Sequence, residues 1–387
     1  MMNTMEAVPV PGHGLESLQN FRKRNRFMNK KALIAMSGGV DSSVSAALMV
    51  KEGYDCIGVT MKLYENETIG MAKESTCCSL SDTEDARKVC SGLHMPYYVL
   101  NFKEDFAEKV IDRFVAAYEA GDTPNPCIDC NRYMKFDKLY QRAKELDCEY
   151  IVTGHYARVE YDETTGRYLL KKSKNEAKDQ SYVLAFLDQE QLKHTIFPLG
   201  GFASKEEVRK IAEEHGFVNA RKHDSQDICF VPEGNYADFM RQYTGKEYPT
   251  GDFVTTDGKK LGEHKGIIRY TIGQRKGLGL ALPAPLYVCR KDMERNEVIL
   301  SSEDALFTTT CIVDDFNWIA YEQPTQPVRV TAKTRYRAKE APATAHVLSD
   351  GRVELVFDEP QRAITTGQAA VLYDGENVVG GGTIVEV

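Results

Sequence analysis

The sequence predicts a doubly wound parallel α/β sheet for its first half, followed by a small connecting domain and a C-terminal β-barrel. Three observations carry that expectation. Short β-branched runs alternate with amphipathic helical stretches from residue 30 to about 160. A Ser-Gly-Gly turn sits between the first strand and the first helix. From about 285 to the end, short strands follow one another at regular spacing. At 387 residues the chain is longer than the roughly 100–200 residues of a single domain, so two or three cores are expected.

In chain order, Ala32 to Met36, Cys56 to Met61, Tyr97 to Asn101 and Tyr150 to Thr153 read as strands. Ser42 to Lys51 reads as a helix, and so does Ser81 to Gly92, opened by a capping box of Ser81 with Glu84. Lys103 to Glu119 and Phe136 to Leu146 complete the helical layers of an α/β domain spanning 28–203. The connecting domain, 204–284, has one clear helix, Lys205 to His215. The barrel, 285–387, is expected to use Leu286 to Cys289, Glu297 to Ser301, Ala345 to Leu348, Val353 to Phe357, Gln368 to Tyr373 and Thr383 to Val387. Residues 1–27 read as a disordered extension, with Met28 an alternative start.

Composition narrows the function classes. Hydrophobic residues make up 42% and charged residues 27%, as in a soluble globular protein. No run of about 18 apolar residues exists, so no membrane span or membrane partner is expected. Arg22, Lys23, Arg24 and Arg26 are not followed by the apolar run that a secretory signal requires. Without such a signal, ten cysteines read as reduced thiols in the cytoplasm. Cys56, Cys90, Cys148, Cys289 and Cys311 lie in apolar periodic contexts and read as core, Cys77-Cys78 as structural, and His94, His194 and His223 as surface or core groups. A net charge of -8 argues against a generally polyanion-binding surface. Locally the balance reverses: Lys171, Lys172, Lys174 and Lys178 face a single acid, Glu176, while Arg329, Lys333, Arg335, Arg337 and Lys339 share a stretch with no acid.

The chemistry begins at Ser37-Gly38-Gly39-Val40-Asp41-Ser42-Ser43, directly after the first strand. Two glycines let successive N–H groups converge, Ser37 and Ser42 add hydroxyls, and the following helix contributes its positive end. The result is an anion nest. It lacks the lysine and the spacing of G-x-x-x-x-G-K-[ST], so phosphoryl transfer of the kinase or motor type is not indicated.

This loop resembles that of the PP-loop ATP pyrophosphatases, which split ATP to AMP and pyrophosphate while activating an oxygen as its adenylate. The resemblance implies an ATP site at Ala35, Met36, Ser37, Gly38, Gly39, Val40, Asp41 and Ser42, with Met61 and Gly154 at other strand ends and Asp41 helping to hold Mg²⁺. The cysteines refine it. Thr123-Pro124-Asn125-Pro126-Cys127-Ile128-Asp129-Cys130-Asn131 places a C-x-x-C in a proline-stiffened loop ahead of a helix, where the helix dipole, Arg132 and Lys135 are expected to lower a thiol pKa. A third cysteine lies in Asp224-Ser225-Gln226-Asp227-Ile228-Cys229-Phe230. With Lys178-Asp179-Gln180-Ser181-Tyr182, Tyr270-Thr271-Ile272-Gly273-Gln274-Arg275 and Lys333-Thr334-Arg335-Tyr336-Arg337, these motifs resemble the tRNA-specific 2-thiouridylases across residues 30–387.

That resemblance implies 2-thiolation of the wobble uridine, position 34, in tRNAs for lysine, glutamate and glutamine. Cys229 matches the carrier of a persulfide received from a cysteine desulfurase or a relay protein. Cys130 matches the nucleophile that attacks it, leaving a Cys130–Cys229 disulfide for an external reductant to reset. Asn125, Pro126 and Cys127 match the stretch touching the target base, and His155, Lys178, Asp179, Gln180, Arg335, Tyr336 and Gln368 match sites meeting tRNA. Cys127 departs from the Asn-Pro-Asp common in the family. It leaves three readings open: a persulfide relay, a [4Fe-4S] cluster on Cys127, Cys130 and Cys229, or Cys127 as a small packed residue while the other two react. Two rival classes differ in kind. A PP-loop ligase for a small metabolite needs no third domain or reactive cysteines, and a non-catalytic tRNA-binding protein switched by ATP forms no AMP.

Overall fold

The computed structural model describes residues 30–65, 80–222, 228–231 and 235–387. The extension with Met28, the Cys77-Cys78 pair, His223 and residues 224–227 of the Cys229 motif lie outside the described residues.

The first layer is a parallel sheet. Strands β1 (Lys31–Ala35), β2 (Asp55–Lys62), β3 (Tyr97–Asn101), β4 (Tyr150–Val152) and β7 (Thr195–Ile196) pair in the order β3-β2-β1-β4-β7. All four pairings are parallel. Such strands are covered on both faces, which is why Ala32, Leu33 and Ile34 of β1 are all solvent-free instead of alternating in and out. Helix α1 (Val40–Lys51), helix α2 (from Leu80 to Gly92) and a long helix α3 covering 103–119 supply the crossovers. Because α2 is already helical at Leu80, Ser81 stands inside the first turn and does not cap it. The chain leaves β1 toward β2 on one side and returns as β4 on the other. The ends of β1 and β4 therefore flank the switch point where such sheets take ligands.

Helix α4, covering 126–145, begins ten residues before the expected Phe136. Asn125 caps it, accepting from the Cys127 N–H at 3.2 Å, and Pro126 occupies the first helical position. The C-x-x-C is thus the first turn of the helix, not a loop ahead of it. A π-helical stretch, Cys130–Lys138, follows.

A hairpin, β5 (Ala157–Asp162) and β6 (Arg167–Lys172), leaves the α/β domain and joins the barrel sheet, where Lys171 pairs with Asn377. Two further helices, α5 (Gln189–Lys193) and α6 (Lys205–Glu214), come next. Val208, Ala212 and Ala220 pack with Val40 and Val44 of α1, so α6 is part of the α/β core, although the sequence places it in the connecting domain.

The middle unit carries helix α7 (Tyr236–Thr244) and strands β8 (Gly251–Thr255), β9 (Lys260–His264), β10 (Tyr287–Asp292) and β11 (Glu297–Ser301), ordered β10-β11-β8-β9. The two strands expected to open the barrel at 285 therefore belong to this sheet. Alternation identifies a strand but not its partner, so a boundary drawn from spacing moved. The barrel begins with β12 (Phe307–Trp318) and continues through β13 (Val328–Lys333), β14 (Ala341–Val347), β15 (Val353–Arg362), β16 (Ala369–Asp374) and β17 (Asn377–Glu386). It closes by pairing β17 with β12. Among the described residues no helix is long and apolar enough to cross a membrane.

Candidate active site

The phosphate loop is organised by its own atoms. Gly38 has φ +76°, and a Cβ there would run into the Asp82 backbone at the start of α2, so only glycine fits. The Ser42 hydroxyl donates to the Gly39 carbonyl at 3.0 Å and accepts from the Ser37 N–H at 3.3 Å. It is committed to shaping the turn, where the sequence suggested a hydroxyl aimed at a ligand. Met36, Val40 and Ser42 are buried, while Ser37 is exposed and the Gly39 N–H faces the Ser37 hydroxyl at 3.4 Å. Ala35 ends β1, and Met61 lies in β2, half-buried and in register with Leu100.

Around this loop the structure gathers groups that sequence motifs did not single out. Both Asp41 carboxylate oxygens accept from the Lys205 ammonium at 2.7 Å, and Oδ1 also accepts from the Tyr156 hydroxyl at 2.9 Å. Asn219 Nδ2 donates to the Gly38 carbonyl and to Ser43 Oγ, each at 2.9 Å. Lys222 bridges Asp82 and Asp85. Lys205, Asn219 and Lys222 arrive from chain more than 160 residues downstream of the loop residues they meet.

The segment after β4 joins this loop to the cysteines. A Cβ on Gly154 would stand 2.9 Å from the Asp41 backbone carbon and Cβ, so only a glycine lets the strand end approach the loop. Tyr156, two residues on, reaches Asp41. His155 turns the other way: Nδ1 is 2.6 Å from the Thr153 hydroxyl and Nε2 is 3.4 Å from the Lys135 ammonium. An ammonium can only donate, so Nε2 accepts and the ring proton belongs on Nδ1. Burial, then the neighbouring Lys135 charge, hold the His155 pKa well below its usual value, and the ring is neutral.

Lys135 also lies within electrostatic reach of Cys130. Cys130 and Cys229 are half-buried and pack against one core cluster. Burial pushes the Cys130 thiol up to about 11; Lys135 draws it part of the way back, while Cys127 and Asp129 push further. The expected low thiol pKa is therefore absent. Desolvation outweighs the lysine, and Arg132 is held in an ion pair with Asp315 of β12. Burial also lifts the Asp129 carboxyl to about 6, against the pull of Arg113. Cys127 is exposed. The Tyr64 hydroxyl donates to the Cys229 carbonyl at 2.7 Å, and Phe230 packs edge-on to Phe106 and Phe114. Among the described residues no three His, Cys, Asp or Glu side chains are grouped to hold a metal ion, so Cys127, Cys130 and Cys229 do not form the thiolate set a cluster requires.

The barrel completes the region. The Tyr336 hydroxyl donates to the Asp179 carbonyl at 3.3 Å, and its ring meets Tyr182 with centroids 5.8 Å apart. Cys127 and Lys178 lie within electrostatic reach of Tyr336. Arg335 donates to the Ala363 carbonyl. Asp179 accepts from the Ser173 N–H and the Ser181 hydroxyl, and Gln180 exchanges hydrogen bonds with the Tyr156 backbone, both at 2.9 Å. Gln368 donates to the Thr123 carbonyl at 2.7 Å, just ahead of Asn125 and Pro126. Tyr336 and Gln368, both expected to meet tRNA, thus stand next to the C-x-x-C segment, while Asp179, Gln180 and Gln368 use their side chains on the protein itself.

Residues 30–233 match a family model described as the tRNA methyl transferase HUP domain, 237–302 its PRC-barrel domain, and 308–384 the aminomethyltransferase beta-barrel domain. The tRNA-specific 2-thiouridylase MnmA of Clostridioides difficile strain 630 is 51% identical over 92% of this chain and 99% of that protein. The chain belongs to the tRNA-specific 2-thiouridylase family. The protein of the same name from Acetivibrio thermocellus is 50% identical over 92% of this chain and 99% of its own length. Among solved structures, a 4-thiouridine synthetase in complex with RNA and ATP matches with a TM-score of 0.36 at 19% identity, over 56% of this chain and 50% of that one. In this member of the thiouridylase family, Tyr156, Lys205 and Asn219 are the site neighbours that motif reading missed, while Lys135 was already expected beside the C-x-x-C. Only Tyr156, inside Thr153-Gly154-His155-Tyr156, carried a sequence signal.

Proposed function

We propose that this chain is a tRNA-uridine 2-sulfurtransferase that replaces the C2 oxygen of wobble uridine 34 by sulfur at the expense of ATP. One observation carries the proposal: the four residues after β4 touch the phosphate loop through Gly154 and Tyr156 and reach Lys135, beside Cys130, through His155. Nucleotide and thiol chemistry therefore share one site. Methyl transfer, the wording attached to two of the matching family models, would call for neither a pyrophosphate nest nor thiols beside it.

The chemistry follows from the parts. The uracil C2 oxygen is a poor leaving group; attack on the α-phosphorus of ATP makes it an adenylate and releases pyrophosphate into the Ser37–Ser42 loop. Asp41 supplies a single carboxylate, which suits Mg²⁺ brought in on phosphates, where the metal would offset their charge. The Cys130 thiolate then attacks the inner sulfur of a Cys229 persulfide, forming the Cys130–Cys229 disulfide and expelling hydrosulfide. Hydrosulfide adds to C2, and AMP leaves with the former C2 oxygen. Two electrons from an external reductant reopen the disulfide. Lys135 is the charge that favours the thiolate over its buried thiol. With no thiolate trio in place, no step runs through an iron-sulfur cluster.

Asn125, Pro126, Cys127 and Tyr336 frame the position for the target base, which an anticodon loop presents unstacked at little cost. The substrates are the tRNAs for lysine, glutamate and glutamine, the sulfur comes from a cysteine desulfurase or a relay protein, and the setting is the cytoplasm. The test is stoichiometry. Protein purified without oxygen, shown to be iron-free, and mixed with ATP, Mg²⁺, tRNA and a persulfide donor should yield AMP, pyrophosphate and 2-thiouridine in equal amounts. Thiolation that depends on bound iron would remove the relay, and no AMP at all would remove the activity.

A further inference from the structure

The phosphate loop contains no lysine, yet ATP brings about four negative charges to it at neutral pH. Among the described residues, two ammonium groups stand beside the loop. Lys222 is committed to two carboxylates, Asp82 and Asp85. Lys205 is different. It is the first residue of α6, whose start is fixed by Ser204 accepting from the Glu207 N–H and whose apolar face packs on α1. Its side chain is only 7% exposed, and its Nζ lies 2.7 Å from both oxygens of Asp41, in the first turn of α1. The Tyr156 ring lies alongside, 5.7 Å from the ammonium.

A desolvated ion pair is weak support for stability, because taking both charges out of water costs about as much as their attraction returns. Its position points elsewhere. A carboxylate in the first turn of the helix that follows the phosphate loop occupies the place where an anionic ligand is bound. The ammonium that meets this carboxylate therefore stands at the loop's helix end, one side chain from where a phosphate is bound.

We propose that Lys205 is the phosphate-binding cation of this site, and that Asp41 occupies it until the phosphates of ATP arrive. Lys205 then supplies from a second helix the charge that other phosphate loops carry within their own sequence. When pyrophosphate leaves, Asp41 recaptures the ammonium, so product release does not strand a buried charge. The idea rests on the ATP chemistry proposed above.

The experiment uses the full chain with two readouts: the KM for ATP in AMP formation, and binding of inorganic pyrophosphate by calorimetry without magnesium. In K205M, the KM for ATP should rise about tenfold or more, the loss expected for a charge-assisted hydrogen bond. Pyrophosphate should bind more weakly by a similar factor, the KM for tRNA should stay within about twofold, and K205R should recover part of both losses. D41N keeps the lysine but removes its competitor, and should bind pyrophosphate as tightly as the wild type or more so. Unchanged pyrophosphate binding in K205M, or weaker binding in D41N, overturns the proposal. If the wild type forms no AMP, the thiolation reading fails, whereas the calorimetry still decides the role of Lys205.

Discussion

The phosphate loop and the cysteine region are built on opposite principles. Inside the loop, the bonds among its own residues join positions two to five apart, with Asn219 and Lys222 adding long-range ties to Gly38. The cysteine region is held from a distance: Arg132 to Asp315, Tyr336 to Asp179, Gln368 to Thr123 and Tyr64 to Cys229 span 183, 157, 245 and 165 residues. A nest for phosphate can be prepared by a short peptide at a helix start. The thiol proposed to meet one base of a folded RNA lies in a region that three of these bonds tie to the barrel, so the proposed chemistry is contingent on the barrel being in place.

The contrast is broken most severely where the two regions touch. Replacing Gly154 by Val should drive a side chain into the Asp41 backbone and reduce AMP formation about 100-fold, the scale of roughly 1 Å of misplacement in a catalytic group. Far-ultraviolet circular dichroism should be unchanged. Near wild-type turnover would mean that the β4 end does not set the loop.

The next effect sharpens the cysteine side. With the Cys130 thiol pushed up to about 11, its thiolate fraction rises about tenfold per pH unit across the neutral range. Single-turnover sulfur transfer should climb with that slope from pH 7 to 9. In Lys135→Met the compensating charge is gone, the thiol pKa moves higher still, and the rate at any pH in this range should fall while the slope is kept. A flat profile would show that a different step, or a thiol already ionised, governs transfer.

These predictions also mark what could be read in the sequence. The loop was legible because strand, Gly-Gly turn and helix are adjacent in the chain, and β1 and β4 because parallel strands buried on both faces make continuous apolar runs. The capping of α4 was legible too: Asn125-Pro126 is a helix start, and taking it as a stiff loop misplaced Cys127 and Cys130 by a helical turn. Strand partners were not legible, so β10 and β11 moved to the middle sheet and β5–β6 joined the barrel. Nor was the thiol pKa, since burial is a property of the packed fold and it outweighed the lysine visible nearby. Lys205 and Asn219 lie in ordinary helical and loop sequence, and only the packing of α6 on α1 brings them to the loop.

The smallest effects come from the long-range ties taken singly. Tyr336→Phe and Gln368→Ala each remove one hydrogen bond of about 1 kcal/mol, so the KM for tRNA should rise up to about fivefold with the KM for ATP unchanged. An equal rise in both constants would mean that the barrel supports the nucleotide site as well.

The central claim, that an ATP-activated uridine is handed to a thiol in the same site, is tested most directly by following both products in Cys130→Ser. AMP and 2-thiouridine are measured in parallel by mass spectrometry, with tRNA and a persulfide donor present. The account predicts tRNA-dependent AMP formation with 2-thiouridine reduced by at least about a thousandfold. Full thiolation by Cys130→Ser would contradict it.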